Sequence, residues 1–152
     1  MIGMVLIGHA HIASEMKSAV EHVLGEQPLM ATMDVSVSDD LHVLQQQLST
    51  LVMQCNAGDG TLVFADMFGG TPCNIALGCL KDDACEVISG FNLPLLIKAA
   101  SDRANDKQKG KVDLTAFAQN IVASGRQYMS VQTDLLPIQN QTQDEAGCMH
   151  HA

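Results

Sequence analysis

Short apolar runs alternate along this chain with segments whose apolar residues recur every three or four positions, and few architectures accept that alternation. Ile2–Gly8 is a continuous apolar run ending in glycine, as expected of a parallel strand buried on both faces. Ile12, Met16, Val20 and Val23 follow at helical spacing, and the helix they predict stops at Gly25, with Pro28 just beyond. Leu29–Val35 reads as a second strand, interrupted by Thr32 and Asp34. Ser38, Asp39 and Asp40 offer N-caps for a second helix with Leu41, Leu44, Leu48, Leu51 and Val52 on one face. Past the Gly58-Asp59-Gly60 turn, Thr61–Ala65 is a third strand that delivers Asp66 at its end. The loop Phe68–Pro72 opens a third helix, with Thr71 placed to cap it and Pro72 at its first position. Glu86–Ser89 is a fourth strand, followed by Gly90–Pro94 and another helix. Ser101–Lys111 is polar and reads as a loop, and Leu114, Phe117, Ala118, Ile121 and Gly125 suit a last helix.

The predicted fold is therefore α/β: a doubly wound, mainly parallel four-stranded sheet with helices on both faces. Residues 1–132 are expected to form one domain, and the polar, Gln-rich stretch 133–152 a poorly ordered tail. At 152 residues such a domain buries about 68–70% of its unfolded surface. With 47% hydrophobic and 16% charged residues, a disordered chain is excluded. No apolar run is long enough for a membrane-spanning helix, and no basic residue precedes Lys17, so a cytoplasmic protein without a signal peptide is expected.

A formal charge of −9 excludes the basic footprint of a nucleic-acid binder, for which only the short stretch Lys107–Lys111 is available. With no Trp, one Tyr and four Phe there is little to stack bases on. The five cysteines, Cys55, Cys73, Cys79, Cys85 and Cys148, are odd in number and have no C-x-x-C pair, so they read as reduced core thiols.

Ligands of doubly wound sheets bind at the carboxyl ends of the strands. Three such ends are polar or glycine-rich here: Gly8-His9, Asp66–Thr71 and Gly90–Asn92. His9 stands where a reactive group is placed, and His11 follows two residues on. If the strand continues, the two imidazoles share a face; if a turn intervenes, they diverge. Asp66 either reaches His9, should strands one and three be neighbours, or caps the turn after it. In the first case it fixes one imidazole nitrogen and leaves the other nucleophilic. Gly69-Gly70-Thr71-Pro72 is either an ordinary turn or a cradle in which backbone N–H groups and a helix N-terminus meet an anion. Together these describe a phosphoryl-accepting imidazole, an orienting carboxylate and a backbone cradle. Neither Arg103 nor Arg126 lies in the three loops, so no arginine clamp is expected. P-loop, dinucleotide and nucleophile-elbow motifs are absent. A metal pair at His9 and His11 would need further ligands, and Cys148-Met149-His150-His151 reads as a chain end.

Four stretches carry a family likeness: Met4–Gly8 with His9, Val23–Gln27, Leu62–Asn74 (LVFADMFGGTPCN) and Glu86–Leu96 (EVISGFNLPLL). From Met1 to about Ser130 the chain resembles the enzyme IIA component of the mannose family of the bacterial phosphoenolpyruvate-dependent sugar phosphotransferase system. The resemblance implies four parallel strands and a short fifth strand, here Gln127–Gln132, exchanged across a homodimer. It implies that His9 accepts a phosphoryl group from the phosphocarrier protein HPr and passes it to a IIB component. Asp66 matches the carboxylate partner of that histidine, and Thr71 the hydroxyl residue of the glycine loop. Backbone N–H groups of the Gly69–Asn74 turn (Gly69, Gly70, Thr71, Cys73 and Asn74, but not Pro72) would hold the phosphoryl oxygens. No metal, nucleotide or other cofactor is implied, and membrane association would be indirect, through transporter subunits. Ala10 departs from the glycine usual after the acceptor, where its methyl is expected to crowd the phosphoryl group, and His11 occupies a varied position. No fused IIB domain is expected, and the partner is then expected to be a separate protein. The alternatives are a regulatory phosphate acceptor without its own transporter, a metal-binding module using His9 and His11, and a non-reactive binding module.

Overall fold

Parallel pairing joins four strands in the order β2-β1-β3-β4: β1 (Gly3–His9), β2 (Met30–Val35), β3 (Thr61–Ala65) and β4 (Cys85–Ser89). The computed structural model describes residues 1–81, 84–105 and 112–135. The helices are α1 (Ile12–Leu24), α2 (Leu41–Cys55), α3 (Thr71–Leu77), α4 (Leu93–Asn105), α5 (Leu114–Arg126) and a single turn, α6 (Gln132–Leu135); a 3-10 turn, Gly78–Lys81, follows α3.

β1 lies between two strands and under two helical layers, which is why its sequence is apolar without alternation. Met4 and Leu6 join Leu62, Phe64 and Ile88 beneath α1, α4 and α5. Val5 and Ile7 join Met33, Val35, Val63 and Ala65 beneath α2 and α3. Period-two alternation thus divides each strand between two cores. Cys55, Cys73 and Cys85 are buried within the second core, as expected of packing residues; Cys148 lies outside the described residues.

Helix starts follow local chemistry. Asp40 caps α2 by accepting from the N–H groups of His42 and Val43 at 2.8 and 3.3 Å. Asp113 caps α5 through the N–H of Ala116 at 2.9 Å. Asn92 of the Gly90–Pro94 stretch accepts from the Leu95 N–H at 2.9 Å and donates to the Gly125 carbonyl at 3.3 Å, tying the start of α4 to the end of α5.

Two expectations need correction. Thr71 is the first residue inside α3, not its cap: Gly70 is the N-cap, with extended backbone (φ −86°, ψ 169°), and Pro72 is the second helical residue. Ser101–Asn105 is not loop. It forms the last turn of α4, because Arg103 is anchored in the protein interior; residues 106–111 lie outside the described residues. The Gln127–Gln132 strand is expected only across a homodimer, and in the single chain the segment is not paired as a strand. Gln127 and Tyr128 form a turn, 129–131 have no regular structure, and Gln132 begins α6. Among the described residues no strand lies beside this segment, and Tyr128, Met129 and Val131 stay exposed. The expected tail is helical from its first residues to Leu135, and 136–152 lie outside the described residues.

Arg103 is 2% exposed and sits at the amino ends of β1 and β2. It donates to the carbonyls of Ile2, Leu29 and Pro28 at 3.0, 3.2 and 2.8 Å, and to Gln27 Oε1 at 3.2 Å. Burial pulls the guanidinium pKa below its ordinary value. Arg103 therefore lies at the edge of the sheet opposite the carboxyl ends of the strands.

Candidate active site

From β1 the chain steps to β2 on one side and returns to β3 on the other. The loops after β1 and β3 therefore leave the sheet in opposite directions and open a crevice between them. His9 ends β1 and Asp66 follows β3, so both stand at that switch point.

The Asp66 backbone extends the ladder by one bond, from its N–H to the Ile7 carbonyl at 3.2 Å, which fixes where its side chain starts. Oδ2 accepts from the His9 N–H at 2.9 Å and pairs with His9 Nδ1 at 2.8 Å. Oδ1 accepts from the Met67 N–H at 2.9 Å. The carboxylate is 10% exposed and the imidazole 48%. Burial pushes the Asp66 pKa up, but the hydrogen bonds and charge of His9 and the Met67 N–H outweigh it, and the carboxyl rests below its ordinary value. An ionised carboxylate only accepts, so Nδ1 carries the proton, and whenever the ring is neutral Nε2 is the bare nitrogen. Strands one and three are neighbours, so one carboxylate oxygen meets the imidazole while the other accepts from the turn that follows.

Gly70 closes over the ring. A Cβ built there would stand 2.8 Å from His9 Cε1 and 3.3 Å from Nε2. The loop backbone thus lies against the edge of the imidazole that bears the bare nitrogen. Gly69 turns through a positive φ of 84° to bring it there. The first amides of a helix have no partner within it, and here those are Gly70, Thr71 and Cys73, since Pro72 has no N–H. The Asn74 N–H is already committed to the Gly70 carbonyl at 3.0 Å, so beyond the backbone Asn74 has only its exposed side-chain amide to offer. Cys73 is buried, leaving its backbone alone for a ligand, and Thr71 is exposed. Gly70→Ala is compatible with extended backbone, yet its methyl must turn the His9 ring. If His9 is the phosphoryl acceptor that the resemblance implies, its labelling is expected to fall about a hundredfold with the melting temperature little changed; an unaffected rate would refute the close approach.

His11 diverges from His9, because Ala10 adopts a left-handed backbone (φ 50°) between them. His9 turns to Asp66 on β3, while His11 Nδ1 lies 3.4 Å from Asp34 Oδ2 on β2. Asp34 also accepts from the Ser14 N–H at 3.1 Å and the Ser14 hydroxyl at 2.6 Å, so it caps α1 from a neighbouring strand. Neither Asp34 nor Ser14 was picked out by sequence reasoning. The available signal was that Asp34 is a carboxylate at a strand end, as Asp66 is. Left-handed alanine costs roughly 1 kcal/mol, so Ala10→Gly is expected to raise the melting temperature by a few degrees. A fall in a thermal melt would contradict the strain.

Among the described residues no group of three or more His, Cys, Asp or Glu side chains is placed to hold a metal ion. No described helix is long and apolar enough to cross a membrane.

A model of the family described as PTS system fructose IIA component matches residues 3–116, which include His9, Asp66 and the glycine loop. The sorbose-specific EIIA component of Lacticaseibacillus casei is 33% identical over 102 residues, 66% of this chain and 73% of that protein. The mannose-specific EIIAB component of Escherichia coli K12 is 27% identical over 106 residues, 69% of this chain but 33% of that protein, so the chain spans about a third of its length. Among solved structures, phosphotransferase system component EIIA from Streptococcus agalactiae superposes with a TM-score of 0.76 at 19% identity, covering 88% of this chain and 99% of that one. The mannose/sorbose specific IIA subunit from Enterococcus faecalis gives 0.72 at 24% identity, covering 93% and 98%. At these identities the superpositions establish the α/β fold.

Proposed function

The chain belongs to the mannose family of phosphotransferase-system IIA components, and from that premise we propose that it is a phosphoryl carrier: His9 accepts a phosphoryl group from phospho-HPr and passes it to a IIB component. The observation that carries this reading is the His9–Asp66 pair, with Nδ1 held at 2.8 Å and the Nε2 edge of a half-exposed ring turned to Gly70. Asp66 keeps the proton on Nδ1, so Nε2 attacks phosphorus in line while the donor's phosphorus–nitrogen bond breaks. The product ring gains positive character, which the carboxylate offsets. The Gly70, Thr71 and Cys73 N–H groups, and the dipole of the helix they open, would hold the phosphoryl oxygens. The site is held by backbone dipoles without an arginine, which suits a group that must leave again. A protein must deliver and remove the phosphoryl group, and the open face of His9 leaves room for one.

The partners in this reading are HPr, a IIB component and a second copy of the chain, with residues 127–132 as the exchanged segment. The exposed side chains of Tyr128, Met129 and Val131 support that assignment. The protein works in the cytoplasm and meets the membrane only through transporter subunits.

The test is phosphorylation by phosphoenolpyruvate, enzyme I and HPr. The parent is expected to take up acid-labile label that chases onto a IIB protein, and His9→Gln to lose the fast phase of labelling. A parent that stays unlabelled by enzymes active on another IIA protein would refute the proposal.

A further inference from the structure

A second imidazole–carboxylate pair stands beside the first. β1 is flanked on both sides: Asp34 of β2 is in register with Gly8, and Asp66 lies one residue past the Ile7–Ala65 pairing, at the same level. Each carboxylate meets the Nδ1 of one histidine through its Oδ2, Asp66 that of His9 and Asp34 that of His11. From these matched pairs we propose that His11 is a second phosphoryl-acceptor site, served by the same class of donor, a protein phosphohistidine. The inference rests on the phosphocarrier reading of His9 and goes beyond it.

Helix capping does not account for His11. Asp34 already caps α1 through Ser14, and His11, although it is the N-cap residue, makes no capping hydrogen bond with its side chain. Its ring is 84% exposed, so burial in a core does not account for it either. What the ring has is one partner on Nδ1 and an open Nε2. Asp34 stays ionised to serve as that partner. Burial pushes its pKa up, but the Ser14 hydrogen bonds, with the bond and charge of His11, bring the net below the ordinary value. The step balances as it does at His9. His11 Nε2 attacks phosphorus, the donor's phosphorus–nitrogen bond breaks, and its electron pair returns to the donor's ring nitrogen. Both rings keep the proton on their other nitrogen throughout, so no co-reactant is needed.

The contact to Asp34 is longer than that to Asp66 and the ring is freer, so His11 is the slower acceptor. His9→Gln is expected to keep acid-labile label at a rate roughly 10- to 100-fold below the parent. The full chain would be labelled with phosphoenolpyruvate, enzyme I and HPr. The phosphohistidine would be located by fragmentation that spares the phosphorus–nitrogen bond. Label on His11 in His9→Gln, lost in the double variant His9→Gln/His11→Gln, is the expected result. Asp34→Asn in the His9→Gln background should slow it further, with circular dichroism confirming that α1 still forms. Should His9→Gln fail to fold, the parent driven to saturation is mapped instead, and label on both His9 and His11 is expected. A labelled parent with no label on His11 in either protein, or label on His22 or His42 instead, overturns the proposal while leaving His9 in its role. A parent that takes no label overturns the phosphocarrier reading and this one with it.

Discussion

Replacing Asp66 by alanine is expected to slow phosphorylation of His9 by roughly 10²- to 10⁴-fold, the usual worth of a positioned acid–base partner. Three hydrogen bonds end on this carboxylate, from the His9 N–H, His9 Nδ1 and the Met67 N–H. Alanine leaves the ring free to rotate and free to carry its proton on Nε2, the atom that must attack. Asparagine should cost less. With its amide oxygen in the place of Oδ2 it still accepts both bonds from His9, at the expense of the one from Met67. The tautomer survives and the charge does not. Hydrogen bonds to charged groups exceed neutral ones by about 1–1.5 kcal/mol, so Asp66→Asn should be about tenfold slower than the parent. Initial rates with labelled phospho-HPr decide it. If the alanine variant is as fast as the parent, Asp66 does not orient His9; if asparagine equals alanine, charge rather than tautomer is what matters.

The same carboxylate makes stability depend on pH in a fixed sense. Its folded pKa is depressed, so its contribution is present above the ordinary carboxylate range and is lost as pH falls through the folded value. The melting temperatures of the parent and Asp66→Ala should therefore differ at neutral pH and converge in acid, below about pH 4.

Arg103→Met should cost about 3 kcal/mol, on the order of 10 °C in melting temperature for a domain of this size. The Ile2 and Pro28 carbonyls accept from the guanidinium inside the protein, and methionine would leave both without that donor. The Leu29 carbonyl suffers less, because it also accepts from the Met4 N–H at 2.9 Å. Relief from burying a cation offsets part of the loss, which holds the figure below the sum of the orphaned groups. Arg103→Lys should fall between, since one ammonium cannot span acceptors on both strands. Labelling of His9 at permissive temperature should be unaffected, as Arg103 sits at the opposite end of the sheet. A methionine variant melting within two degrees of the parent would show that the guanidinium is no anchor.

Much of this molecule was legible in the chain because its signals are local. Thr61–Ala65 was placed to the residue, and α1 ends at Gly25 as the spacing of Ile12, Met16 and Val20 predicts. The misreadings have a common cause. Thr71 looked like a cap because its side chain suits one, but the helix begins a residue earlier, where Gly70 packs on the His9 ring. Ser101–Asn105 looked like loop because it is polar, yet Arg103 finds its acceptors 74 to 101 residues away. Neither of these could be read in a window of ten residues.

The sequence alone determined the alternation of strands and helices, and with it a parallel sheet whose carboxyl edge holds His9, Asp66 and the glycine loop. Periodicity and punctuation act over a turn or a strand, and they survive in one dimension. Tertiary structure alone decided which groups meet. Strand order set β1 between β2 and β3, giving His9 the carboxylate of Asp66 and His11 that of Asp34. It also sent Arg103 away from the site to hold the far end of the sheet. Pairings across 57 and 23 residues depend on which strands become neighbours, and the packing of the whole domain settles that.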